Sequence, residues 1–139
     1  MRCICTSIVA TLVLAVTSAT FAGTVECPPT ETAKLTADDG GSYDQFGFSV
    51  AIDGDVVVIG ANLEDQIDPP WDRGSAYVYE QQVNGMLLQV AKLTADDGAS
   101  DDWFGHSVAT HDGVAVVGAF RDDDNGSSSG SAYVYEQQV

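Results

Sequence analysis

The stretch FGFSVAIDGDVVVIGA, Phe46 to Ala61, is written a second time as FGHSVATHDGVAVVGA, Phe104 to Ala119, with the same Phe-Gly opening and Gly-Ala close. Within the first copy Phe48, Val50 and Ile52 alternate with Ser49 and Ala51, which is the rhythm of a strand and not of a helix. Asp53-Gly54 follows as a tight hairpin turn tolerant of positive φ. The next run, Val56 to Ile59, is apolar at every position, as in a central strand covered on both faces.

The repetition extends outward from these phrases. AKLTADDG occurs at Ala33 to Gly40 and again at Ala91 to Gly98, with the same 58-residue offset as Phe46 to Phe104. GSAYVYEQQV occurs at Gly74 to Val83 and Gly130 to Val139 with an offset of 56, so the second copy has lost two residues between its Gly-Ala and its GSAYVY. Ala76 to Tyr79 reads as a third strand, Asn84-Gly85 as a hairpin turn, and Met86 to Thr94 as a fourth, outermost strand. Four antiparallel strands in sequence order make a propeller blade, and repeats of this length bury their faces by stacking on one another. Gly47, Gly60 and Ala61 suit places where blades crowd toward an axis. The competing architecture is a β-sandwich with a duplicated hairpin pair.

The ends of the chain carry separate signals. Arg2, the apolar run Ile8 to Val16 and the small-residue tail TSATFA read as a secretory signal peptide over residues 1–22, cleaved after Ala22, with Ala19 as a second option. An uncleaved anchor is the alternative, since Cys3 to Ala22 approaches the roughly 20 residues that span a bilayer. Residues 23–32 form a Pro-rich lead holding Cys27, the sole cysteine once the signal is removed, so no internal disulfide is expected in the mature chain. The domain plan is thus a first repeat over 33–90 and a second over 91–139 that lacks its last strand.

The net charge of −16 is set by 21 acidic against 5 basic residues, of which Lys34, Arg73, Lys92 and Arg121 follow the signal. Such a surface repels nucleic acid and anionic lipid and suits divalent cations, a basic partner or high-salt solubility. An apolar content of 45% and the regular Val-rich runs argue against disorder.

Phe-Gly, strand, turn, strand and Gly-Ala together resemble FG-GAP repeats, the units of the integrin α-subunit propeller and of many bacterial exported proteins. The motif residues are Phe46-Gly47 with Gly60-Ala61 and Phe104-Gly105 with Gly118-Ala119; the motif's closing Pro is replaced by Asn62 and Phe120. The resemblance implies a seven-bladed propeller, often with calcium held in an Asp-rich turn between the first two strands. Here Asp53-Gly54-Asp55 and His111-Asp112-Gly113 are too short to supply six or more oxygens, so integrin-type calcium loops are expected to be missing.

Calcium remains a candidate cofactor elsewhere, with Asp122, Asp123, Asp124 and Asn125 as metal candidates in RDDDNGSSSG; Arg121 stands where a further acid is wanted. Solvated turns are the other reading of these residues and of Asp38, Asp39 and Asp44 with their echoes Asp96, Asp97, Asp101 and Asp102. His106 and His111 are the only imidazoles, and no nucleophile, phosphate-loop or zinc motif accompanies them. His106 reads as a core or edge residue. Trp71, in the loop DPPWDRG, is the candidate partner contact, against a role in capping its blade. Asn125-Gly126-Ser127 is also a glycosylation sequon.

One strand at Ala33 to Ala37, four over Phe46 to Ala95 and three after Phe104 do not close a ring. The expectation is a piece of a longer multi-repeat protein, or else identical chains each donating Lys34-Leu35-Thr36 to the next, three copies giving six blades. The functional expectation is a non-catalytic, exported module for adhesion or protein or carbohydrate interaction, secreted, periplasmic or at the cell surface. The alternatives are a non-catalytic repeat region of a secreted hydrolase and an acidic, salt-adapted structural protein.

Overall fold

The computed structural model describes residues 29–64 and 72–136. The chain divides into two compact units, residues 1–32 and Ala33–Val139. The expected signal peptide, its Ala22 cleavage point, Cys27 and Trp71 lie outside the described residues.

The second unit is all β among the described residues: β1 (Ser49–Asp53), β2 (Val56–Ala61), β3 (Ser75–Gln81), β4 (Leu87–Leu93), β5 (Phe104–His111), β6 (Val114–Ala119) and β7 (Ser131–Glu136). The first four form one antiparallel sheet in sequence order and the last three a second. Both sheets are open, as in incomplete propeller blades.

The turns explain the registers. β1 and β2 join through Gly54 and Asp55, one residue later than the sequence reading, with Gly54 at φ +55°. The matching turn of the second sheet uses Asp112 and Gly113, both at positive φ as a type I′ hairpin requires. Between β3 and β4 the connection spans Gln82 to Met86 in place of a two-residue Asn-Gly turn. Gln82 N–H donates to Met86 O, and Asn84 uses its side-chain oxygen to accept from Met86 N–H at 2.9 Å, so the side chain closes the loop.

Residues 33–37, expected as a lone strand, have no ladder partner among the described residues and so form no strand. Leu35 and Ala37 nonetheless pack on the first sheet, and Thr36 O accepts the Tyr79 hydroxyl at 2.8 Å. The identical segment 91–95 does the same for the second sheet: Leu93 and Ala95 pack on its core and Thr94 O accepts the Tyr135 hydroxyl at 2.9 Å.

β2 shows why an all-apolar strand is needed here. Val56 and Val58 turn to the second sheet, where they share a core with Ala76, Phe104, Val117 and Ala119. Val57 and Ile59 turn the other way and pack with Tyr77, Tyr79 and Phe46. The two Phe-Gly phenylalanines occupy equivalent niches: Phe46 meets the Tyr77 ring edge-on at 5.5 Å between centroids, and Phe104 meets Tyr133 at 5.3 Å.

The Phe-Gly of the second repeat also joins the sheets. Phe104 N–H donates to Arg73 O at 2.8 Å, and Ser49 Oγ–H donates to Gly105 O at 2.7 Å. A Cβ on Gly60 would strike Gly105 O, and one on Gly105 would strike Ser75 O, so both glycines are dictated by close backbone approach. Gly47 is different: its missing Cβ faces open space, and what requires glycine is its φ of +91°. Crowding thus accounts for Gly60 but not for Gly47.

Candidate functional site

Each Asp-Asp-Gly loop is held by its own acid. Asp44 accepts from Gly41 N–H, and Asp102 accepts from Ala99 N–H at 2.6 Å, a turn lock three residues long in both repeats. Just beyond, Tyr43 and Gln45, and their counterparts Asp101 and Trp103, sit at positive φ without being glycine. Such conformations cost about 1–3 kcal/mol each and persist where surrounding contacts enforce them. Burial, and then the charges of Asp122, Asp123 and Asp124, hold the Asp102 carboxyl above the ordinary carboxylate range against the opposing pull of the Ala99 N–H.

Beneath these loops lies a polar network that the two repeats complete differently. In the first, Tyr77 OH donates to Asp39 Oδ1 at 2.9 Å, Ser75 Oγ–H donates to the buried Glu64 at 2.7 Å, and Lys92 Nζ bridges Asp39 at 2.6 Å and Glu64 at 2.8 Å. Burial works against the charges of Asp39 and Lys92. Their mutual contact, with the Tyr77 bond to Asp39 and the Glu64 bond to Lys92, still holds Asp39 below and Lys92 above their ordinary ranges.

In the second repeat the Tyr133 hydroxyl lies 2.9 Å from both Asp97 Oδ1 and Asp122 Oδ2. No lysine stands where Lys92 stands in the first, among the described residues. The nearby Asp124 carboxyl is held above the ordinary range by the charges of Asp122 and Asp97.

The metal candidates therefore separate. Asp122 is buried, its oxygens engaged by Tyr133 OH and by Asp124 N–H at 3.1 Å, whereas Asp123, Asp124 and Asn125 are exposed on the loop. A different trio, which sequence reading missed, gathers at the two β-turns: ligand atoms of Asp53, His111 and Asp112 lie within 4.8 Å of one another. Those turns do not fit calcium, because two exposed carboxylates and an imidazole fall short of six or more oxygens. The geometry suits an imidazole clamped between carboxylates, with His111 Nδ1 3.6 Å from Asp53 and Nε2 3.5 Å from Asp112.

His106, read as core or edge, lies on β5, an outer strand of its sheet. It is half-buried in an aromatic cluster, 4.8 Å from the Phe48 ring and 4.4 Å from Phe120, with Trp103 5.4 Å from Phe120. Arg121 covers the Trp103 ring at 4.7 Å. Phe48 and Phe120 are each 48% exposed, while the enclosed Trp103 Nε1 and His106 Nδ1 have no hydrogen-bond partner among the described residues. A signal in the sequence could have found this cluster. Trp103, His106, Phe120 and Arg121 stand where the first repeat has Gln45, Phe48, Asn62 and Leu63, so the patch sits where the copies diverge.

An apolar cleft of about 440 Å³ lies between the sheets, lined by residues such as Val58, Val78, Leu93, Ala115 and Tyr135. Glu80, Thr110 and Glu136 add polar side chains to its wall.

Two stacked antiparallel sheets, joined at a glycine-lined seam and each carrying a tyrosine–aspartate pair, Tyr77 with Asp39 and Tyr133 with Asp97, define a propeller-blade repeat protein. The family model of the FG-GAP repeat matches residues 29–79 and 87–135. The chain belongs to the FG-GAP repeat family. A comparison with curated proteins found no match.

Proposed function

We propose that the chain is a non-catalytic, exported interaction module that docks a protein partner on the patch formed by Phe48, Trp103, His106, Phe120 and Arg121. The observation that supports this most is the divergence of the two repeats at that patch, where large rings replace Gln45 and Asn62 within otherwise duplicated surroundings. Aromatic and Arg side chains are the residue types that carry most binding energy at protein interfaces. The negative charge surrounding them favours a partner presenting an apolar contact among basic groups. FG-GAP repeats are typically non-catalytic, which accords with the absence of a nucleophile motif from the sequence.

The test compares the chain with a Phe48→Ser/Phe120→Ser variant as immobilised bait against surface proteins of the producing cells, with chemical cross-linking. A protein retained by the first and lost with the second is the expected result. Partners retained equally by both would remove the patch from the proposal, and turnover of a hydrolase substrate by the purified chain would overturn the non-catalytic reading.

A further inference from the structure

The first sheet shows how β3 receives its outer neighbour. Ala76, Tyr77 and Val78 pair with Leu93, Lys92 and Ala91, and Lys92 reaches the acids beside Tyr77. β7 carries the same residues, Ala132, Tyr133 and Val134, but has no outer neighbour among the described residues. The strand that fits it is also written twice: Ala91-Lys92-Leu93 recurs as Ala33-Lys34-Leu35. Lys34 is exposed and has no ion pair among the described residues, while Asp97 and Asp122 face each other across Tyr133 without a lysine.

We propose that the open edge of β7 receives residues Ala33–Thr36 of a second copy of this chain, placing Lys34 of that copy between Asp97 and Asp122. The register follows from β3 and β4: Ala132 opposite Leu35, Tyr133 opposite Lys34 and Val134 opposite Ala33 of the second copy. Backbone pairing supplies affinity, and the lysine fixes register, since a one-residue slip turns it to the other face.

The faces around the joint agree with this occupant. On the first sheet Val50 and Ile52 are 66% and 72% exposed, and on the second Val134 is 62% exposed. Within the chain the counterpart of Val50, Val108, packs into the core shared by the two sheets, as does Val78, the counterpart of Val134. The joint between copies therefore repeats an interface the chain already makes internally. The donor segment need not leave its own copy, because Ala91–Leu93 pair within the first sheet while Leu93 and the following Ala95 pack on the core shared with the second. The contact is head-to-tail, and it propagates or closes into a ring according to its rotation.

The decisive measurement is light scattering on the purified full chain over a concentration series in about 0.15 M salt, which screens the like charges of the copies. The expected mass corresponds to two or more copies and rises with concentration; a single-copy mass throughout overturns the proposal. Lys34→Glu, at an exposed position that leaves the fold intact by circular dichroism, is expected to weaken association about tenfold or more, the scale of a lost partly buried ion pair. Association unchanged by Lys34→Glu would also overturn it. An Ala33→Cys/Val134→Cys variant is expected to form a reducible disulfide between copies, with Ala91→Cys/Val78→Cys as the control that closes within one chain. Failure of the first where the second succeeds rejects the register.

Discussion

Lys92 Nζ lies 2.8 Å from Glu64 Oε1, whose side chain is only 4% exposed, so the ammonium neutralises an acid that solvent barely reaches. Removing one partner of such a pair leaves a stranded charge, which costs more than the pair itself contributes.

Lys92→Met is accordingly expected to destabilise the chain by about 2–4 kcal/mol. Glu64→Gln should cost less, because Ser75 Oγ–H still finds an amide oxygen. Urea unfolding of the two variants checks the order, and equal losses would contradict it.

The glycines should respond in opposite proportion to their similar φ values of +91° at Gly47 and +87° at Gly105. Gly47→Ala carries only the backbone penalty, about 1–2 kcal/mol. Gly105→Ala adds a collision with Ser75 O and is expected to cost at least about 1–3 kcal/mol more, the typical cost of overpacking. Thermal melts of the pair separate conformation from crowding.

The acids have opposite signs of pH dependence. Asp39 and Asp122 are held below the ordinary range; for Asp122 burial opposes this, but the Asp124 N–H and the Tyr133 and Ser131 hydroxyls prevail. Their stabilisation is present at neutral pH and is lost as pH falls through and below their lowered folded-state values, under about pH 4. Asp102 is held above the ordinary range, so its contribution favours the protonated form and is lost as pH rises through its raised value. Asp102→Asn, which can still accept from Ala99 N–H, should therefore flatten the loss of stability that sets in as pH rises above the ordinary carboxylate value of about 4, and leave the acid limb in place. Melting temperatures across this range decide it.

Trp103→Gln and Phe120→Asn install the residues that the first repeat uses at Gln45 and Asn62. Since the surrounding fold already accommodates both, each is expected to change stability by less than about 1 kcal/mol while abolishing partner retention. A larger loss on urea unfolding would assign the rings to the fold and not to binding.

Much of the architecture was legible because strand rhythm and repetition are properties of the chain itself. The alternation around Val50, the two-faced run Val56 to Ile59 and the recurrence at 58 residues give blades of antiparallel strands in sequence order. The aromatic cluster was not legible by periodicity, because Trp103 and His106 flank the start of β5 while Phe120 follows the end of β6, and the rings meet only when that strand start and strand end converge. The Asp39–Lys92–Glu64 network was hidden for the same reason, Asp39 and Glu64 lying in two loops and Lys92 on β4, which meet only in the folded chain.

The sequence SAYVYE shows where the division falls. By itself it determines a strand, and both β3 and β7 are strands. Yet Ala76 and Tyr77 are fully buried, whereas Ala132 is exposed and Tyr133 half-buried. Local sequence sets backbone conformation and the alternation of faces; burial depends on which neighbours arrive, and identical residues meet different neighbours at the two positions.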